Sequence, residues 1–157
     1  MTQKTTIQFY HLLSTSRERA VPKLMDKMLK SGQRAVLLMS SDAMLKTMSD
    51  ALWANDPASF LPHGSARDGH KSEQPIYLAL TDENPNGADI LCVLDGSTPA
   101  SLTTYSKVLD VFDGANETET AAARTRWASY KAAGYALQYI KQQPNGGWKV
   151  EMTSEAA

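Results

Sequence analysis

The sequence predicts an α/β fold with a mainly parallel sheet, and three observations carry that prediction. Apolar runs of strand length alternate with helical stripes along the chain. Residues 35–39 (AVLLM) and 90–94 (ILCVL) are apolar throughout, as strands covered on both faces are. Glycine and proline breaks separate the segments at Gly32, Pro57, 84–87, 96–99 and 144–147.

Taken in order, residues 6–12 (TIQFYHL) alternate Ile7 and Phe9 against polar neighbours, the period of a strand. Val21, Leu24, Met25, Met28 and Leu29 then recur at helical spacing, with Pro22 placed in the first turn and Gly32 as the stop. The run 35–39 is the second strand. Ser40 or Ser41 caps a helix whose stripe is Met44, Leu45, Met48, Ala51 and Leu52. Residues 64–73 read as a surface loop, 75–80 (PIYLAL) as a strand, 82–88 as a turn and 90–94 as a strand. A short helical segment near 101–106 precedes the strand 108–112 (VLDVF). Asn116 with Glu119 has the form of a capping box and opens an alanine-rich helix that closes at Gly134. Residues 135–141 alternate as a last strand, and residues 150–157 read as a flexible tail. The whole is a single-domain, Rossmann-like, three-layer arrangement over residues 1–149.

The 157 residues carry a net charge of −1 and one cysteine, Cys92, which excludes an internal disulfide framework and suits the reducing cytoplasm. No run approaches the ~20 apolar residues of a membrane span. Neither G-x-G-x-x-G nor G-x-x-x-x-G-K-[ST] occurs, so a nucleotide-binding enzyme rests only on the fold pattern and on Asp95 at a strand end, where a turn aspartate is the competing reading. His11, His63 and His70 lack metal-site spacing, and no serine or cysteine motif stands beside His63 to be activated. No cofactor or metal is expected. Cys92 lies within an apolar run and reads as core.

Two features stand above this background. Residues 82–119 hold eight acidic side chains and one basic, whereas residues 121–149 hold five basic and none acidic. Among the five, Arg124 and Lys131 flank Trp127 on one helix face, which suits an anionic partner with an apolar anchor; a solvated face around a packed tryptophan is the alternative. The second feature is Trp53, roughly 140° from the centre of its helix's apolar stripe. It is either an interface anchor or a cap packed on the loop that carries Phe60.

The order KSGQRAVLL, ALWANDPASFLPH, ADILCVLDG, RTRWASYKAAGYALQ and a terminal GWK resembles the chi subunits of bacterial DNA polymerase III over about residues 5–149. The resemblance implies a non-catalytic accessory protein of DNA replication with a Rossmann-like fold. It further implies pairing with the psi subunit of the clamp loader and capture of the acidic, phenylalanine-ended C-terminal tail of single-stranded DNA-binding protein. A DinG-type helicase is a further partner that it implies, one competing with psi for the same surface, with DNA reached only indirectly and no membrane partner. By the same resemblance Trp53 and Phe60 match an aromatic pair at the psi or helicase interface. Arg124 matches the arginine of the tail site and Trp127 stands where the family has an aromatic beside it. Ala128 departs where a tail-contacting lysine can stand, and Lys131, one turn on from Trp127, is expected to take part of that charge role in the tail site.

Overall fold

The computed structural model describes residues 5–54, 63–65, 71–81, 83–94, 102 and 104–155. In chain order the elements are β1 (Thr6–Leu12), α1 (Arg17–Lys30), β2 (Ala35–Leu38), α2 (Asp42–Trp53), β3 (His63–Ser65), a 3-10 turn at Lys71–Glu73, β4 (Ile76–Ala79), β5 (Ile90–Val93), β6 (Lys107–Asp113), α3 (Glu117–Ala132), β7 (Ala136–Gln142) and β8 (Trp148–Ser154). They form one eight-stranded sheet in the order β3-β4-β2-β5-β6-β1-β7-β8. Every neighbouring pair is parallel except β7 with β8. The mainly parallel α/β architecture is therefore as expected.

Three layers follow from strand alternation. Leu37, Leu78 and Cys92 point to the face where Val21 and Met25 of α1 and Met48 and Leu52 of α2 pack. Val36, Tyr77 and Leu91 point to the opposite face, together with Phe9, Phe112 and Leu137, which meet Ala123 and Trp127 of α3. Both faces of the central strands are buried, which is why those strands read as unbroken apolar runs. Cys92 is fully buried, and burial followed by the Asp110 charge pushes its thiol up, out of reach of thiolate chemistry.

The helix ends obey local rules. Ser41 accepts a hydrogen bond from the Met44 N–H at 3.2 Å, capping α2. Both α1 and α3 stop in Schellman turns: Gly32 N–H bonds the Leu29 carbonyl and Gln33 N–H that of Met28, while Gly134 and Tyr135 repeat the pattern on Lys131 and Tyr130. Gly32 and Gly134 hold φ of 81° and 91°, the left-handed conformation such a stop needs. Asn116 accepts from Glu119 N–H at 3.1 Å, one half of a capping box. The Glu119 carboxylate turns instead to the Asp113 N–H and to Arg17.

Three sequence expectations are corrected. Pro22 lies at the sixth position of α1, not in its first turn, and it is buried. Its missing N–H leaves the Glu18 carbonyl without the usual helical donor. Gly64 and Ser65, expected at the start of the surface loop 64–73, lie with His63 in β3, a three-residue strand on the sheet edge. The segment from Val150 is no frayed tail: residues 150–154 belong to β8, which the Gly146 turn folds back onto β7. Periodicity misses β8 because an edge strand's side chains are mostly exposed. The expected helical segment near 101–106 lies partly outside the described residues; within them, Tyr105 N–H bonds the Leu102 carbonyl.

A β-bulge breaks the β7–β8 register, with Tyr139 opposite Met152 and Ile140 opposite Val150. One extra residue on β8 reverses its alternation. Met152 is thereby brought to the α3 face, while Trp148 and Val150 lie on the α1 face.

The β1–α1 connection carries a second device. The Gln142 side-chain oxygen accepts from the backbone N–H groups of Leu13, Ser14 and Thr15 at 3.0, 2.9 and 3.1 Å, and its amide donates to Thr15 Oγ1 at 2.8 Å. In nucleotide-binding α/β proteins, N–H groups in a strand-to-helix loop of this kind receive a phosphate. Here a buried glutamine from β7 holds them. Gln142→Ala is expected to cost about 1–3 kcal/mol in a urea melt, since three donors lose their acceptor together. An unchanged midpoint would show that water replaces the glutamine without loss.

Candidate functional site

The recess under α3 is assembled from four strands and one helix. Its floor is Phe9 of β1 and Phe112 of β6, both buried; Tyr139 of β7 and Met152 of β8 form one wall, and Ala123, Arg124 and Trp127 of α3 the other. It encloses 310 Å³, at the small end of ligand pockets and ample for one aromatic side chain. The rings interlock edge to face: Phe9 with Trp127 at 5.5 Å, Trp127 with Tyr139 at 6.2 Å. Trp127 is thus a half-buried wall, whereas Arg124 is exposed at the rim. The chemistry offered is an apolar slot for a ring beside a guanidinium able to grip a carboxylate.

Below the recess, Asp110 of β6 is almost wholly buried and accepts two hydrogen bonds from Arg126, at 2.6 Å to Nε and 2.8 Å to Nη2. Burial pushes the Asp110 carboxyl up, against the pull of the Arg126 hydrogen bonds and charge. This fork ties α3 to the sheet two residues from Arg124 and one from Trp127. The Arg17–Glu119 ion pair ties its first turn to α1.

His11 meets the Tyr139 hydroxyl through Nδ1 and the Phe112 ring at 5.0 Å. Burial, then the charges of Lys141 and Arg124, holds its imidazole below the ordinary 6.5, with Asp113 pulling the other way. With the folded value below the unfolded one, the unfolded chain takes up the proton first. The stability difference is therefore absent above about pH 6.5, and acidification through that value destabilises the fold. Urea melts at pH 7.5 and 5.5 should show a smaller acid loss in His11→Gln than in the wild type. An equal loss in both would assign the effect to other groups.

Of the residues singled out from sequence, Arg124 and Trp127 meet at this recess. Lys131 lies in the last turn of α3, exposed and not among the described lining residues; Ala128 is also exposed. Trp53 ends α2, 63% exposed, as its position opposite the apolar stripe requires, and its ring stands edge-on to His63 at 4.9 Å. Ser49 and His63 are 3.3 Å apart beside it. Phe60, His70 and Asp95 lie outside the described residues. Sequence reasoning missed Phe9, Phe112 and Tyr139 as site residues. Their strand alternation signals an inward ring but not which inward rings share a cavity. Among the described residues no three His, Cys, Asp or Glu side chains converge as a metal site. No described helix is long and apolar enough to cross a membrane.

Fold and site together define an α/β protein with an aromatic-floored recess under a basic helix. A profile described as "DNA polymerase III chi subunit, HolC" matches residues 4–138. The chain belongs to the DNA polymerase III chi subunit family, accessory subunits of that holoenzyme.

Similar relatives include a probable DNA polymerase III subunit chi from Rickettsia prowazekii, 28% identical over 68% of this chain and 66% of that protein. DNA polymerase III subunit chi of Escherichia coli is 27% identical over 76% of this chain and 82% of its own length. The Pseudomonas aeruginosa subunit is 26% identical over 85% and 94%. Among solved structures, T4 UvsW superposes with a TM-score of 0.61 at 9% identity, over 90% of this chain and 42% of that one. At that identity the likeness concerns the fold alone.

Proposed function

We propose that this protein is a non-catalytic bridge within the DNA polymerase III holoenzyme. It joins the clamp loader, through psi, to the acidic C-terminal tail of single-stranded DNA-binding protein during replication in the cytoplasm. The terminal phenylalanine enters the recess against Phe9, Phe112 and Trp127, and Arg124 pairs with a tail carboxylate; Lys131 adds longer-range attraction. The observation that carries this reading is the coincidence of a 310 Å³ ring-sized recess with Arg124 at its rim. The nucleotide-enzyme alternative loses support because Gln142 holds the N–H groups a phosphate would need.

Titration of a labelled acidic peptide ending in phenylalanine tests the tail site. Tightest binding is expected at low salt, and no binding there would exclude it.

Trp53, with Phe60, forms the psi or DinG-type helicase surface. Trp53→Ala is expected to weaken psi capture by about thirtyfold or more, the scale of an aromatic hot spot, while an exposed helix end leaves the melting temperature nearly unchanged. A folded Trp53→Ala protein that holds psi at full strength would remove this assignment.

A further inference from the structure

On the α1 side of the sheet lies a second, larger concavity, a groove of 670 Å³ between α1 and the β8 edge. α1 and α2 supply that layer, the buried core beneath them includes no residue of β7 or β8, and the groove floor is sheet. Gln8 of β1 donates to Gln138 of β7 at 2.7 Å, and the Tyr10 hydroxyl reaches Gln8 at 3.3 Å. Ile140 completes the floor.

The far wall is apolar and open. Trp148 and Val150 are 37% and 51% exposed, and Trp148 stands edge-on to Tyr10 at 5.1 Å, which fixes its ring without covering it. The near wall is α1, with Leu24 between the exposed Lys23 and Lys27, one turn apart; Lys107 of β6 also lines the groove. Three lysines and no carboxylate line it among the described residues.

The span from β1 to β8 is two strand spacings, about 10 Å, which is the diameter of one helix. In a three-layer α/β fold a sheet face of this width is covered by a helix, and this one is not covered by a described helix. An open apolar wall of Trp148 and Val150, with Ile140 at its foot and lysines facing it across the groove, selects an apolar stripe bordered by carboxylates.

We propose that this groove docks an acidic amphipathic helix of a partner protein, its apolar stripe against Ile140, Trp148 and Val150 and its carboxylates toward Lys23, Lys27 and Lys107. The site lies on the opposite face of the sheet from the α3 recess and involves neither Trp53 nor Arg124. It therefore goes beyond the function proposed above.

The test is a fluorescence-anisotropy titration of the full chain with a designed 18-residue helical peptide carrying leucines at i, i+3, i+4 and i+7 and glutamates elsewhere. A scrambled peptide of the same composition and a lysine-for-glutamate version serve as controls. The acidic striped peptide is expected to bind in the micromolar range, and the controls at least tenfold more weakly. The double substitution Lys23→Glu/Lys27→Glu, on exposed positions that tolerate charge reversal, and Trp148→Ala are each expected to weaken it at least tenfold. Arg124→Ala should leave it unchanged, which separates this groove from the recess. Equal binding of all three peptides, insensitivity to the α1 double substitution, or a loss on Arg124→Ala would overturn the proposal. So would a concentration-dependent dimer in sedimentation that Trp148→Ala dissolves, because the occupant would then be a second copy of this chain.

Discussion

Arg124→Ala is expected to weaken binding of an acidic, phenylalanine-ended peptide by about tenfold to a hundredfold at low salt, the range of about 1.5–3 kcal/mol for a hydrogen bond to a charged group. The loss should shrink as salt rises, because Arg124 is exposed and its attraction is screened. Arg124→Lys should recover only part, since an ammonium keeps the charge but not the planar fork. Trp127→Ala removes a wall of the slot and also an edge contact with Phe9, so binding and stability are expected to fall together. Trp127→Phe keeps a ring there and separates the two effects: affinity near wild type would assign the loss in alanine to the missing wall. Calorimetry with both variants decides the matter, and an Arg124→Ala protein that binds as tightly as wild type would exclude the guanidinium from the site.

Asp110→Ala is expected to lower stability by about 3–5 kcal/mol, because it strands the Arg126 guanidinium against the sheet with its fork unfilled. In a domain of this size that corresponds to a melting temperature lower by about 10 °C. The double variant Asp110→Leu/Arg126→Met removes both charges and should recover much of the loss, as apolar replacements of buried pairs do. The pair also holds α3 over the recess, so peptide affinity should fall in Asp110→Ala at temperatures where the protein is still folded. A single-variant melt within about 1 kcal/mol of wild type would show that the fork carries little weight.

Some parts of the site were legible in the sequence because their cause is local. The strand 6–12 follows from two-residue alternation, and the ends of α1 and α3 follow from Gly32 and Gly134, the residue type a left-handed stop favours. Trp53's exposure follows from its angle to the stripe of its own helix. Arg124 and Trp127 sit three residues apart on one helix, so their shared neighbourhood is a property of helical geometry.

Other parts depend on partners far away in the chain. Periodicity says that Phe9, Phe112 and Tyr139 point inward, but only the pairing of β1 between β6 and β7 sets those rings under Trp127. Gln142 looks like any strand-end glutamine until the fold carries the 13–15 backbone to it. Asp110 reads as a polar break in an apolar strand until Arg126 is seen to reach it.

What the sequence by itself determined is the α/β class, the C-terminal stops of α1 and α3 and the residues with unusual local placement, all governed by interactions within a few positions. The tertiary structure alone decided strand order, the recess, the β8 edge and the groove beside α1. The physical reason is that a cavity is defined by distances between residues that neither propensity nor periodicity relates, and that one bulge in β8 reverses which face Met152 serves.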